Sequence, residues 1–246
     1  MIPTTPGAST GAAHQTDSPV RDGRSRGKRA PIVLAVAGLL VFVAGQIHPK
    51  GPMDEDFRHL EGGLLADADH WDWTHAVLSV AIVLMAAALF LTLRHPRVRG
   101  DRILRVATGV ALVGILISWA EMVFHIAMTS ESQALLSGGP TPLFDTHVIL
   151  QAIYTPIFGW GIAVMAWRGG ATRRWGNPWI AILGVVGGVV FGFCGPVVAL
   201  WPNSYDSLLF IGDAPLGLWG FASGLYVLWA MARADKRHSG ESVPAA

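Results

Sequence analysis

An all-α membrane bundle of six spans is the fold the sequence predicts, and three observations carry it. The 246 residues are 52% hydrophobic and 14% charged, where soluble domains average roughly a quarter charged. Six long apolar runs lie at 31–47, 73–93, 103–128, 147–167, 178–201 and 208–232, and a helix needs about 20 such residues to cross the hydrocarbon core. Of the 18 Lys and Arg, 16 fall in four segments that alternate along the chain with the acidic ones.

Residues 1–30 are rich in Thr, Ser, Gly, Pro and Arg and nearly devoid of large apolar side chains. Such a composition cannot bury enough surface to fold, so a disordered cytoplasmic tail is expected there. The first apolar run is short, but the tail before it is long for a signal peptide and no small-x-small cleavage site follows, which predicts a retained span. Orientation comes from the positive-inside rule. Arg21, Arg24, Arg26, Lys28 and Arg29 precede the first run. Arg94, Arg97, Arg99, Arg102 and Arg105 follow the second, Arg168, Arg173 and Arg174 follow the fourth, and Arg233, Lys236 and Arg237 follow the sixth. The remaining connections hold only Lys50 and Arg58. Both termini are therefore expected in the cytoplasm, with the chain in the plasma membrane. Trp71, Trp73 and Trp201 are expected at the exofacial interface, and Trp167, Trp175, Trp179 and Trp229 near the cytoplasmic one.

The largest connection, 48–72, carries Phe57, Leu60, Leu64 and Leu65 at amphipathic spacing and is expected to form a short exofacial cap. His48 and His59 within it read as solvated or capping loop residues. The fifth run places Gly184, Gly188 and Gly192 four residues apart, with Gly187 and Gly195 nearby. That face lets another backbone approach closely, either inside the bundle or across a contact with a second copy or a membrane-complex partner. Residues 233–246 form a second cytoplasmic tail. A net charge of +1 gives no bulk attraction to nucleic acid, so the bilayer is the partner composition implies. The single cysteine, Cys194, excludes an internal disulfide and any CxxC site, and its apolar neighbours make it a packing residue.

The chemistry gathers at the exofacial end. His75 lies about a turn into the second span, Glu121 and His125 share a face of the third at i and i+4, and His147 opens the fourth. The second and fourth spans run inward and the third outward, so the three imidazoles are expected at one depth with Glu121 a turn deeper. Ionisable groups in a span cost roughly 2.5–3.5 kcal/mol each on insertion scales, and partners must offset that cost. One solution is a transition metal (Zn, Cu or Fe) on His75, His125, His147 and Glu121, or one haem between two of the histidines. Glu121 is the candidate general base or fourth ligand. Asp72 and Asp145 are candidates to orient ring nitrogens, and Gln151, Tyr154 and Asp213 are outer partners. Asp213 is also placed to cap the sixth helix, ahead of Pro215.

Glu-x-x-x-His is not a diagnostic motif, and the HExxH pattern of zinc proteases and the HxxHH clusters of membrane di-iron enzymes are both absent. Three functions stay open on the sequence. One is a metal-dependent oxidoreductase or hydrolase acting on a lipid-soluble substrate. A second is a small transporter, which needs a polar path across the midplane. The third is a non-catalytic subunit or assembly factor of a membrane complex, with the histidines as a packing network.

Overall fold

The computed structural model describes residues 19–49, 57–66, 71–201 and 206–238. Residues 1–18 and 239–246 of the expected tails, and 50–56 and 67–70 of the large connection, lie outside the described residues. Every regular element among the described residues is helical. These are α1 (Pro19–Ile47), α2 (Phe57–Ala66), α3 (Trp71–Arg94), α4 (Pro96–Arg99), α5 (Arg102–Ala127), a 3-10 turn (Met128–Glu131), α6 (Ser132–Ser137), α7 (Pro142–Ala171), α8 (Pro178–Leu200) and α9 (Asp206–His238). The six longest, α1, α3, α5, α7, α8 and α9, are each long and apolar enough to cross a membrane.

Apolar runs mark what lies in hydrocarbon, but the helices run past them. Helix α1 begins at Pro19, inside the segment expected to lack structure, and α7 begins at Pro142, five residues before its apolar run. A helix already nucleated by an apolar stretch extends for one hydrogen bond per residue fixed, so polar flanks continue it. Local signals then set its ends. Asp101 accepts hydrogen bonds from the amides of Ile103 and Leu104 at 3.1 and 3.2 Å and starts α5. Asn177 accepts from the Ile180 amide at 2.9 Å and starts α8. The first amides of α7 are served from a distance, since the Glu131 carboxylate accepts from Leu143 and Phe144 at 3.0 Å each.

The six long helices close into a ring. In chain order α1 packs on α3, α3 on α5, α5 on α7, α7 on α8, α8 on α9, and α9 returns to α1. Large apolar side chains face outward all round it, including Val83, Val106, Val123, Ile149, Phe193 and Leu225, several of them more than half exposed. A continuous belt of this kind suits lipid and not water. Glycine seams hold the ring tight. Gly114 abuts Phe158 between α5 and α7, and Gly38 and Gly217 abut each other's helices between α1 and α9. The face of the fifth span that the sequence leaves open between internal and intermolecular contact is filled within the chain. Gly188, Gly192 and Gly195 lie on α7, and Gly184 and Gly187 meet Trp219 and Leu216 of α9.

The two ends of the ring differ in chemistry. At one, α2 packs on α6, and the Arg58 side chain donates to Thr141 Oγ1 at 2.8 Å and pairs with Asp145. This is the histidine end. At the other, Arg168 Nε donates to Asp101 at 2.9 Å and Arg174 reaches the Arg97 carbonyl at 3.3 Å. Trp175, expected at a membrane interface, is instead fully buried there against Gly169 and the His95 ring.

Three substitutions test these contacts. A Cβ added at Gly217 would stand 2.6 Å from the Phe42 amide nitrogen, whereas one at Gly109 would meet nothing within 4 Å. Gly217→Ala is expected to destabilise the detergent-solubilised protein by about 1–3 kcal/mol. Gly109→Ala is expected to be neutral or stabilising by up to about 1 kcal/mol, and thermal unfolding reads both. Asp101→Ala removes a cap and an ion pair and is expected to cost about 1–2 kcal/mol. Burial pulls the Asp101 carboxyl up, but the Leu104 amide and the Arg168 guanidinium outweigh it and hold it below the usual carboxylate range. Its contribution is therefore complete above the unfolded carboxyl's pKa and is lost as pH falls through the lowered folded value. The melting-temperature gap between wild type and Asp101→Ala should narrow in acid over that window.

Candidate metal centre

Four successive members of the ring each bring one histidine to the same end. His48 directly follows α1, His75 lies in the second turn of α3, His125 in the last turn of α5 and His147 in the second turn of α7. Helix direction alternates around this arc, so ends and beginnings of helices meet at one level. Glu121 sits one turn deeper than His125 on the same face of α5 and is 1% exposed.

The tightest group is Glu121, His125 and His147. His125 Nδ1 lies 3.2 Å from Glu121 Oε1 and 3.0 Å from His147 Nδ1, and His147 Nδ1 also meets that same carboxylate oxygen. Three potential ligand atoms thus face one another, and the two edges that meet at His125 Nδ1 are 3.2 and 3.0 Å. Ligands about 2.0–2.1 Å from a tetrahedral ion stand about 3.3–3.4 Å apart, so the group could hold a metal once His147 Nδ1 and Glu121 Oε1 draw apart. Protons alone serve it less well. A buried carboxylate and two Nδ1 atoms facing one another need donors on every edge, and a neutral imidazole carries one ring proton for its two nitrogens.

His75 is fully buried, and its Nδ1 lies 2.6 Å from the Trp71 carbonyl oxygen. A carbonyl only accepts, so Nδ1 carries the proton and Nε2 of the neutral ring presents a lone pair. That Nε2 is buried without a hydrogen-bond partner. His48 also donates Nδ1–H to a backbone carbonyl, that of Pro49, at 2.9 Å. The Nε2 atom of His125 is likewise buried and unpartnered. Together His48, His75 and His125 form a second group whose ligand atoms all lie within 4.8 Å of one another. Trp71 closes over both, stacked on the His125 ring at 5.3 Å and against His75 at 4.0 Å between centroids.

Beneath lies a cavity of about 100 Å³ on the axis of the ring. Its upper wall is polar, with Glu61, Ser118, Gln151, Tyr154 and Asp213 beside the cluster, and its lower wall is apolar, with Ile82, Ile115, Phe158 and Leu216 among others. Each of the six long helices contributes a lining residue.

The structure thus brings Glu121, His125 and His147 to one point, sets His75 beside them in the group with His48 and His125 rather than in a single four-ligand set, and places Gln151, Tyr154 and Asp213 on the adjoining cavity. Asp213 lies within α9, which begins at Asp206, so it lines the cavity and does not cap the helix. Asp145 and Asp72 are elsewhere. Asp145 is half exposed and paired with Arg58, and Asp72 is exposed on the first turn of α3. The orienting role expected of them falls to backbone carbonyls. His59 is exposed as expected, but His48 is 9% exposed and packs on His75 with ring centroids 5.0 Å apart. Trp71, expected at the interface, is buried as the cluster's aromatic cover. Glu61, not singled out by sequence, is buried and lines the cavity from α2. No protein-family model matches the chain, and neither the curated proteins nor the solved structures compared with it gave a match.

Proposed function

We propose that this is a multi-pass plasma-membrane protein, with both termini cytoplasmic, whose exofacial end binds a transition-metal ion on Glu121, His125 and His147. The single observation that carries the reading is the buried triangle of Glu121 Oε1, His125 Nδ1 and His147 Nδ1, with its two nitrogens 3.0 Å apart. Orientation rests on the basic residues gathered at the arginine end of the ring, which the positive-inside rule assigns to the cytoplasm. Helix α2, packed on α6, then serves as the exofacial cap.

A bare ion suits the site better than haem. Two axial histidines must stand on opposite faces of a broad planar ring. Nitrogens 3.0 Å apart leave no slot for a macrocycle, and the cavity of about 100 Å³ has room only for several waters or one end of a substrate. Three protein ligands leave one coordination position open, the arrangement of catalytic rather than structural sites. That position adjoins a cavity with polar upper and apolar lower walls, which favours a lipid-soluble substrate presenting a polar group to the ion. The chemistry this supports is hydrolysis or oxidoreduction.

Purified protein is expected to carry at least one tightly held transition-metal ion per chain by elemental analysis. Glu121→Gln and His147→Ala should each weaken binding of that ion by about 100-fold or more, since even outer-shell changes cost 10–100-fold. Folded, monodisperse protein that arrives metal-free and takes up no Zn²⁺, Cu²⁺ or Fe²⁺ would overturn the reading. Reporter fusions at both termini should score cytoplasmic, and a fusion in the 172–177 connection should agree with them.

A further inference from the structure

We propose that the outward-facing groove between α5 and α7 binds one phospholipid of net negative headgroup charge, its phosphate on Arg102 and an acyl chain along the groove. This stands apart from the metal reading. It uses no residue of the histidine end and holds whether or not an ion binds there.

The groove encloses about 940 Å³, far more than the cavity beneath the histidines. Volumes of about 300–1,000 Å³ hold a drug-sized molecule, so one acyl chain has room. Its walls are Ile103, Val106 and Val110 of α5 and Trp160 and Val164 of α7, all exposed on the outside of the ring. Between them lie two small buried residues, Ala107 and Gly161. The two backbones draw close there, since a Cβ at Gly161 would stand 2.8 Å from the Ala111 amide nitrogen. Small residues at the seam with large ones on either side make a trough. The Trp160 wall is fixed by packing, its ring edge-on to Phe193 of α8 at 5.5 Å between centroids. The lining runs from Arg102 to Val110 on α5 and from Pro156 to Val164 on the antiparallel α7. Eight helical steps on each side span about 12 Å. Half of a hydrocarbon core about 30 Å thick is about 15 Å, so the groove matches one leaflet in depth.

Charge selects the occupant. Arg102 is the one charged residue lining the groove, and it sits at the arginine end in the first turn of α5. Arg168 and Arg174 at that end are engaged by Asp101 and by the Arg97 carbonyl. Arg102 is exposed and its side chain has no such partner among the described residues. A cation in a first turn also faces the positive end of the helix dipole, and a phosphate there offsets both charges. The guanidinium meets a phosphate through paired N–H donors. A second copy of the chain is the rival occupant, and charge opposes it. Copies sharing one orientation in a bilayer pair about an axis along the membrane normal, so residues of like depth face one another. The groove set against itself would bring two Arg102 guanidiniums together. A zwitterionic headgroup carries a cation beside its phosphate, so the net-anionic lipid gains most.

The test uses full-length protein in detergent, stripped of lipid and titrated with phosphatidylglycerol or phosphatidylcholine of matched acyl chains, with adducts read by native mass spectrometry. Wild type is expected to take its first phosphatidylglycerol about tenfold more tightly than phosphatidylcholine. Arg102→Gln should abolish that preference and leave phosphatidylcholine binding as it was. Val106→Trp and Val164→Trp fill the groove from opposite walls, and each should weaken the first binding of both lipids several-fold. Val123→Trp, at an exposed position elsewhere on α5, should bind as wild type does. All four substitutions lie at exposed positions, which spares the packed interior. Wild type without a preference, or groove-filling variants that bind both lipids as Val123→Trp does, would overturn the proposal. So would a dimer that Val106→Trp dissociates, which would give the groove to a second copy.

Discussion

The constraint on which the rest depends is the burial of Glu121. A carboxylate 1% exposed within a helix long and apolar enough to cross a membrane must be met by positive charge or donors on the spot. Everything around it follows from that demand. His125 and His147 reach the same oxygen, and Trp71 stacks on the His125 ring. Replacing any one group leaves the others as uncompensated buried polarity, which makes the cluster behave as a unit and not as a sum of contacts.

Ring closure and the cluster divide the work of holding the bundle. Between transmembrane helices apolar burial supplies little drive, because lipid is as apolar as leucine. Close packing has to serve instead, and the glycine seams at α5–α7, α7–α8, α8–α9 and α9–α1 provide it. The contacts of α3 with its neighbours lack such a seam and rely on alanines and methionines such as Ala81, Met85 and Ala88. At that same side of the ring the histidines of α1, α3 and α5 converge. Polar association therefore supplements packing where glycine is scarce, and any bound ion would tie those helices further.

Much of this was legible in advance, and the exceptions have physical causes. Length and apolarity located all six long helices because no other backbone arrangement satisfies its hydrogen bonds in lipid. Helix ends were less legible, since polar flanks extend a nucleated helix and caps such as Glu131 act across thirteen residues of sequence. Alternating helix direction brought His75, His125 and His147 to one level. The same logic applies to His48, one residue beyond the end of α1, but its place in the 48–72 connection led it to be read as a solvated or capping loop residue. Burial of Trp71 and Trp175 was not legible, because an interfacial tryptophan and one stacked on a histidine occupy the same place in a sequence. Asp145 and Asp72 were overvalued for nearness along the chain, whereas backbone carbonyls, invisible to a residue-type search, take the ring protons.

Polarity along the axis of the ring bears on which function the cluster serves. Below Glu121 and Tyr154 the cavity wall turns to Ile82, Ile115, Phe158 and Leu216. Beneath that lies a core of Met85, Leu89, Ile162, Met165 and Trp219, all fully buried. An ion leaving the cluster toward the arginine end would have to cross this packed apolar layer, and the buried polar side chains on that side, Thr92, Thr108 and Ser223, offer single hydroxyls rather than charges. A carrier would instead place its site at mid-depth between broken helices. Under the proposed reading, a site that is polar at one end and apolar at the other suits a substrate whose polar group meets Glu121 and the histidines and whose apolar part rests on the floor. The dead end below the cluster is thus a reason to read it as a place where chemistry happens, and not as a station on a path.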